Sequence, residues 1–124
     1  TPAPFQLSIA KALELHDAHF ASFTADYAKR RDFLTQALTR SGFEVLPCEG
    51  TYFLMARTDR FRRNGEDDVA FCRRLLLEHG LASIPPSVFY SPVHAPEVRG
   101  LARFAFCKTD KVLEAAAEKL AALR

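Results

Sequence analysis

Arg103 is the first residue from which chemistry can be argued. It stands in Leu101-Ala102-Arg103-Phe104-Ala105-Phe106-Cys107-Lys108, a short run of aromatic and small residues with one charge inside it. Such a run suits a buried β-strand better than a helix. Side chains alternate along a strand, so Ala102, Phe104 and Phe106 share one face. Leu101, Arg103, Ala105 and Cys107 share the other. A guanidinium keeps its charge at any working pH, so in a strand it must be paired or be placed to receive an anion. Its planar fork of donors fits a carboxylate through two parallel bonds. The plainer alternative is a strand arginine that snorkels to water or bridges a neighbouring carboxylate.

Other groups of reactive types are weaker. His16 and His19 sit three apart around Asp17, near a metal-ligand spacing, but a helix junction with solvated side chains explains them equally simply. Cys48, Cys72 and Cys107 are odd in number, and no two are close enough for a metal pair. They read as reduced, mostly buried thiols, and no base marks any of them as a nucleophile. Tyr27, Arg30 and Arg31 could form an anion site, or an exposed helix face in which Arg31 and Asp32 pair with neighbours. Arg57, Arg60, Arg62 and Arg63 are followed at once by Glu66, Asp67 and Asp68, with no interleaved aromatic platform. That stretch, residues 57–65, reads as a mobile surface loop rather than a nucleic-acid contact.

The elements that must position Arg103 follow from periodicity. A helix over 112–124 carries Leu113, Ala116, Ala117, Leu120 and Leu123 toward the Phe104 face, with Thr109 or Asp110 as its cap. A long helix is predicted over 20–41, with Phe20, Phe23, Tyr27, Leu34 and Leu38 on one stripe and Gly42 closing it. Residues 43–46 and 51–56 read as strands broken by Pro47-Cys48-Glu49-Gly50, where Gly50 sets a bulge or turn. Tyr52-Phe53-Leu54-Met55 is apolar on both faces, which suits a central strand. A helix over 67–79 is capped by Asp67 or Asp68, turns Val69, Cys72, Leu75 and Leu76 inward, and ends at Gly80. It leads into a short strand, 81–84, then a proline-rich loop. Residues 4–15 form a loosely amphipathic helix, and 92–100 a loop holding His94.

The 124 residues, 48% hydrophobic and 26% charged, describe one globular domain with a modest core. A net charge of +2 gives no argument for nucleic acid. No stretch is apolar enough to span a membrane, and no signal-peptide pattern is present. The chain begins with Thr, and its first residues already look helical. That fits a piece of a longer protein or a processed one.

Four segments, taken in order, resemble one family. They are Thr1-Pro2-Ala3-Pro4-x-Gln6, Tyr27-x-x-Arg30-Arg31-Asp32-x-Leu34, Cys48-Glu49-Gly50-Thr51-Tyr52-Phe53-Leu54, and the run from Gly80 through Pro85-Pro86-Ser87-Val88-Phe89 to Gly100-x-x-Arg103-Phe104. Together they resemble the C-terminal part of fold-type-I, pyridoxal-phosphate-dependent class I/II aminotransferases, within these the kynurenine/methionine branch.

The resemblance implies an α/β fold: the small C-terminal domain, a mainly antiparallel sheet with helices packed on one face. Residues 1–19 would end the large, cofactor-binding domain, and 20–124 would be the small domain, with 20–41 bridging the two. Arg103 would grip the substrate α-carboxylate, and Tyr52 and Phe53 would lie near the substrate side chain, although core packing serves each of these two equally well. The Schiff-base lysine, the carboxylate at the pyridinium nitrogen and the phosphate cup would lie upstream. This chain would then hold no catalytic residue, no cofactor-binding residue and no metal ligand, and would be inactive alone. The whole protein would be a cytoplasmic homodimer acting on an amino acid and a 2-oxo acid, with no nucleic-acid or membrane partner. A carbon–sulfur lyase of the same fold, or a stand-alone amino-acid-binding module, is the alternative.

Overall fold

Three antiparallel strands in the order β1-β2-β3 hold the centre of the chain. They are β1 (Glu44–Val45), β2 (Phe53–Arg57) and β3 (Leu101–Ala105). The structure, a computed structural model, describes residues 2–123. Thr1 and Arg124, which begin the first quoted segment and end the last predicted helix, lie outside the described residues. The helices are α1 (Ala3–Leu13), α2 (Asp17–Ser41), α3 (Asp68–His79), α4 (Ala95–Val98) and α5 (Asp110–Ala121), with a 3-10 turn at Pro86–Phe89.

The sheet has one covered face. Leu54 and Ala56 of β2 and Ala102 and Phe104 of β3 are buried with Phe106 in one cluster. Leu34 and Leu38 of α2, Phe71, Cys72 and Leu75 of α3, and Leu113 and Leu120 of α5 close over them. Full burial of each large side chain is worth about 1.5–3 kcal/mol, so this side holds the domain together. On the opposite face Phe53, Met55, Leu101, Arg103 and Ala105 are only half-buried. The alternation read around Arg103 holds, and β2 is central as its composition implied.

Several elements differ from expectation. β1 is two residues long, and one further bond, from Leu46 N–H to the Met55 carbonyl at 2.8 Å, extends it. Pro47 then has no N–H to donate. Residues 81–84 do not form a strand; only Ile84 bridges Arg103, because Pro85 and Pro86 end the pairing. The inner face of α3 is Asp68, Phe71, Cys72 and Leu75, while Val69 and Leu76 are exposed. The left-handed residue near Gly50 is Thr51, at φ 66°.

α2 begins at Asp17, its N-terminal N–H from Ala18 taken by His16 Nδ1 at 3.2 Å, and at 25 residues it is about 37 Å long. Its end is as predicted, with Gly42 at φ 104°. Arg30 meets Asp110 of α5 at 3.3 Å and Arg31 meets Asp32 at 2.8 Å, so both arginines have acidic partners. Thr109 caps α5 by position, without a side-chain hydrogen bond. The stretch 57–65, expected to be a mobile loop, begins at the end of β2 and is pinned to the domain. Thr58 is buried and donates to the Gly100 carbonyl, Phe61 stacks on Phe43 at 4.3 Å, and Arg62 and Arg63 pair with Asp59 and Glu78. No helix among the described residues is long and apolar enough to cross a membrane.

Candidate active-site face

β3 fixes Arg103 from both sides. Its N–H and carbonyl each exchange a 2.9 Å bond with Ile84, and across the sheet it stands opposite Met55 of β2. Phe53 pairs with Ala105, so its side chain is the same-face diagonal neighbour of Arg103. The Arg103 Cζ lies 4.5 Å from the centre of the Phe53 ring. From the other direction comes Phe89, the last residue of the 3-10 turn, with its ring centre 4.8 Å from the same atom. The guanidinium therefore has two aromatic rings close to it, whose negative quadrupoles favour a cation.

No carboxylate of the described residues pairs with it. Its Nε is buried and meets no acceptor. The Nε of Arg62 is also buried and unmet, but that side chain binds Asp59 at 2.6 Å and the Glu66 carbonyl at 3.2 Å. Arg30, Arg31, Arg57, Arg63 and Arg74 all have acidic partners. Arg103 is thus neither a bridging strand arginine nor one stretched freely into water. It is a half-buried cation with open hydrogen-bonding capacity.

Of the three residues named from sequence, the structure brings Arg103 and Phe53 together. Tyr52 is 49% exposed and touches Phe53 edge-on, at 5.6 Å between ring centres, so it flanks the pair rather than the charge. Phe89 was not singled out. The proline-rich run that carries it was visible, but the fold-back of the turn over Arg103 was not. The support for that turn was also missed: Asp68, fully buried at the start of α3, accepts from Ser87 N–H at 2.8 Å and from Ser87 Oγ at 2.9 Å.

Residues 2–120 match the family described as Aminotransferase class I and II. The chain belongs to this family. It is 43% identical over 117 residues to methionine aminotransferase of Escherichia coli, covering 94% of this chain and 29% of that protein. It is 32% identical over 139 residues to a kynurenine–oxoglutarate transaminase of Dictyostelium discoideum, covering 99% and 32% respectively. Among solved structures it superposes on N-succinyldiaminopimelate aminotransferase of Mycobacterium tuberculosis with a TM-score of 0.84 at 38% identity, covering 98% of this chain and 31% of that one. The chain therefore spans about a third of the length of the relatives it matches.

The family's cofactor is pyridoxal phosphate. Among the described residues, the five lysines are dispersed rather than gathered around one open site. Lys11 and Lys29 are exposed and paired with Glu14 and Asp26. Lys119 donates to the Gly80 carbonyl at 2.8 Å, and Lys108 and Lys111 line a groove beside α5, on the helical side of the sheet. None of the five stands with Arg103. The three cysteines form no disulfide; Cys48 and Cys107 are half-buried rather than buried, and burial pushes the Cys72 thiol up to about 11.

Proposed function

We propose that this chain is the substrate-gripping, C-terminal part of a pyridoxal-phosphate-dependent aminotransferase that moves an amino group from an amino acid to a 2-oxo acid. The observation that carries the reading is the half-buried Arg103 guanidinium, with the Phe53 and Phe89 rings 4.5 and 4.8 Å from its Cζ and no carboxylate of the described residues paired with it. An arriving α-carboxylate would take charge-assisted bonds from the terminal Nη groups of this partly dry cation. Pyridoxal phosphate supplies the electron sink for such chemistry. The part played by this chain is to fix where the substrate carboxylate lies, and thereby which Cα bond faces the reacting centre.

The half-buried face of the sheet is where the large domain would close, and α1 with the start of α2 would belong to, or bridge toward, that domain. Phe53 and Tyr52 would border the substrate side chain. Similarity to methionine and kynurenine transaminases favours a sulfur-containing or aromatic donor. Three unpaired cysteines suit a reducing, cytoplasmic setting, and family membership favours a homodimer.

In this reading the fragment alone is inactive, because the Schiff-base lysine lies upstream. Borohydride treatment of the fragment with the cofactor should trap no single stoichiometric lysine, and finding one would sink that part of the assignment. The anchor itself is tested in the full-length protein by comparing Arg103→Ala on an amino acid and on its decarboxylated amine. Loss confined to the amino acid supports the reading, and equal loss on both overturns it.

A further inference from the structure

We infer that Phe89 is a positioning residue for the Arg103 guanidinium, held in place by a latch between Asp68 and Ser87. The inference rests on the reading of Arg103 as the carboxylate anchor. A long side chain with no ion partner has several rotamers of similar energy, and holding one of them costs entropy that binding must offset. The Phe53 ring lies 4.5 Å from the guanidinium Cζ. The ring of Phe89 adds a second contact, 4.8 Å from Cζ, so the guanidinium has two aromatic neighbours restricting its rotamers before any anion arrives.

Phe89 has no other evident work. It is 63% exposed, and it is absent from the core cluster. An aromatic side chain left that open, with its face against a cation, contributes little to folding by burial. Its ring is placed by backbone, since Phe89 ends the Pro86–Phe89 turn. That turn is tied to the body of the domain by Ser87, whose N–H and hydroxyl both bind the buried Asp68 carboxylate. The path from α3 to the anchor thus runs from Asp68 to Ser87 by hydrogen bonds, along the turn backbone to Phe89, and from its ring to Arg103.

The ring also limits how water reaches the guanidinium. With both rings close to Cζ and Nε already buried, the terminal Nη groups are the donors left for an incoming anion. That is the geometry a carboxylate needs and a spherical anion does not use as well.

The test uses the full-length protein and three variants, Phe89→Leu, Phe89→Tyr and Arg103→Ala, each assayed with an amino acid and with its decarboxylated amine. Phe89→Leu keeps bulk but loses the aromatic face. It should raise KM for the amino acid about tenfold, in line with one partly desolvated cation–ring contact, and leave the amine unchanged. Phe89→Tyr restores a ring and should behave like the parent. In an Arg103→Ala background, Phe89→Leu should cost nothing further. Equal loss on both substrates, or an unchanged penalty in the Arg103→Ala background, would show that Phe89 acts independently of the anchor and overturn the inference. If Arg103→Ala discriminates between the substrates and Phe89→Leu does not, this inference alone fails. If Arg103→Ala does not discriminate, the anchor reading fails and this one with it.

Discussion

Arg74 and Glu66 meet fork to fork across the turn that leads into α3, Nε to Oε1 at 2.7 Å and Nη2 to Oε2 at 2.9 Å. Their side chains are only 14% and 9% exposed. The same Glu66 accepts from the Arg63 N–H, and the same Arg74 donates to the Phe61 carbonyl. One ion pair thus ties the arginine-rich stretch to α3 and brings Phe61 onto Phe43.

Arg74→Ala should therefore destabilise the protein by about 2–3 kcal/mol, near the low end for breaking a largely buried pair, because Glu66 would keep its charge without its partner. The hydrogen bond from Arg74 holds the Glu66 carboxyl below the usual carboxylate range, with the Arg63 N–H adding to it. A depressed folded-state pKa stabilises at neutral pH. That contribution is lost as pH falls from the ordinary carboxylate value near 4.3 through the lower folded one. Glu66→Gln has no such proton to take up. Urea unfolding of both proteins at pH 7, 5 and 3 should show their stability gap shrinking toward pH 3. A gap that is constant or widens with acid would remove the pair from the account.

Much of the fold is legible because its signals are local. Gly42 and Gly80 end helices in left-handed conformations that most side chains avoid. The two-residue alternation around Arg103 fixes its face whatever packs there. Phe53 could be placed near Arg103 only through the resemblance, and the register of β2 on β3 then gives the contact. The roles of Asp68 and Phe89 were not legible. Asp68 follows Asp67 at a helix start and reads as a second cap candidate, while its partner Ser87 lies 19 residues on. Val69 and Leu76 fit the apolar stripe of α3 read from sequence, yet they face solvent. Phe71 is the larger side chain, and with Cys72 and Leu75 it sets the rotation of the helix.

Gly50 and Thr51 invert the usual expectation for a turn. The glycine has no positive φ and nothing within 4 Å of where a Cβ would stand. The β-branched threonine carries the left-handed φ of 66°, which costs an L-residue roughly 1–2 kcal/mol. Gly50→Ala should be neutral or stabilise by up to about 1 kcal/mol, through a less flexible unfolded chain. Thr51→Gly should stabilise by about 0.5–1 kcal/mol, the relieved strain less the added unfolded-state entropy. Denaturation midpoints would check both. A clear loss from Gly50→Ala would mean that the strain sits at Gly50 after all.

The exchange of Arg103 for Lys or Ala separates charge from geometry. Lysine keeps a positive charge but offers a point ammonium on a flexible stem, without the planar fork and without the flat face that Phe53 and Phe89 flank. Alanine removes charge and fork together and would leave a bound carboxylate poorly paired in a partly dry site. Arg103→Ala should cost on the order of 3–5 kcal/mol in kcat/KM for an amino acid, the range for removing one partner of a desolvated charge pair. Arg103→Lys should cost less and still be clearly damaging, with its loss growing when the substrate is small and cannot be oriented by its side chain. Both losses should largely vanish on the decarboxylated amine, which offers the fork nothing to hold. A strand arginine that served only the fold would give another pattern. Its replacement would lower the melting temperature and reduce turnover of acid and amine alike, and Lys, which keeps the aliphatic stem, would restore most of both.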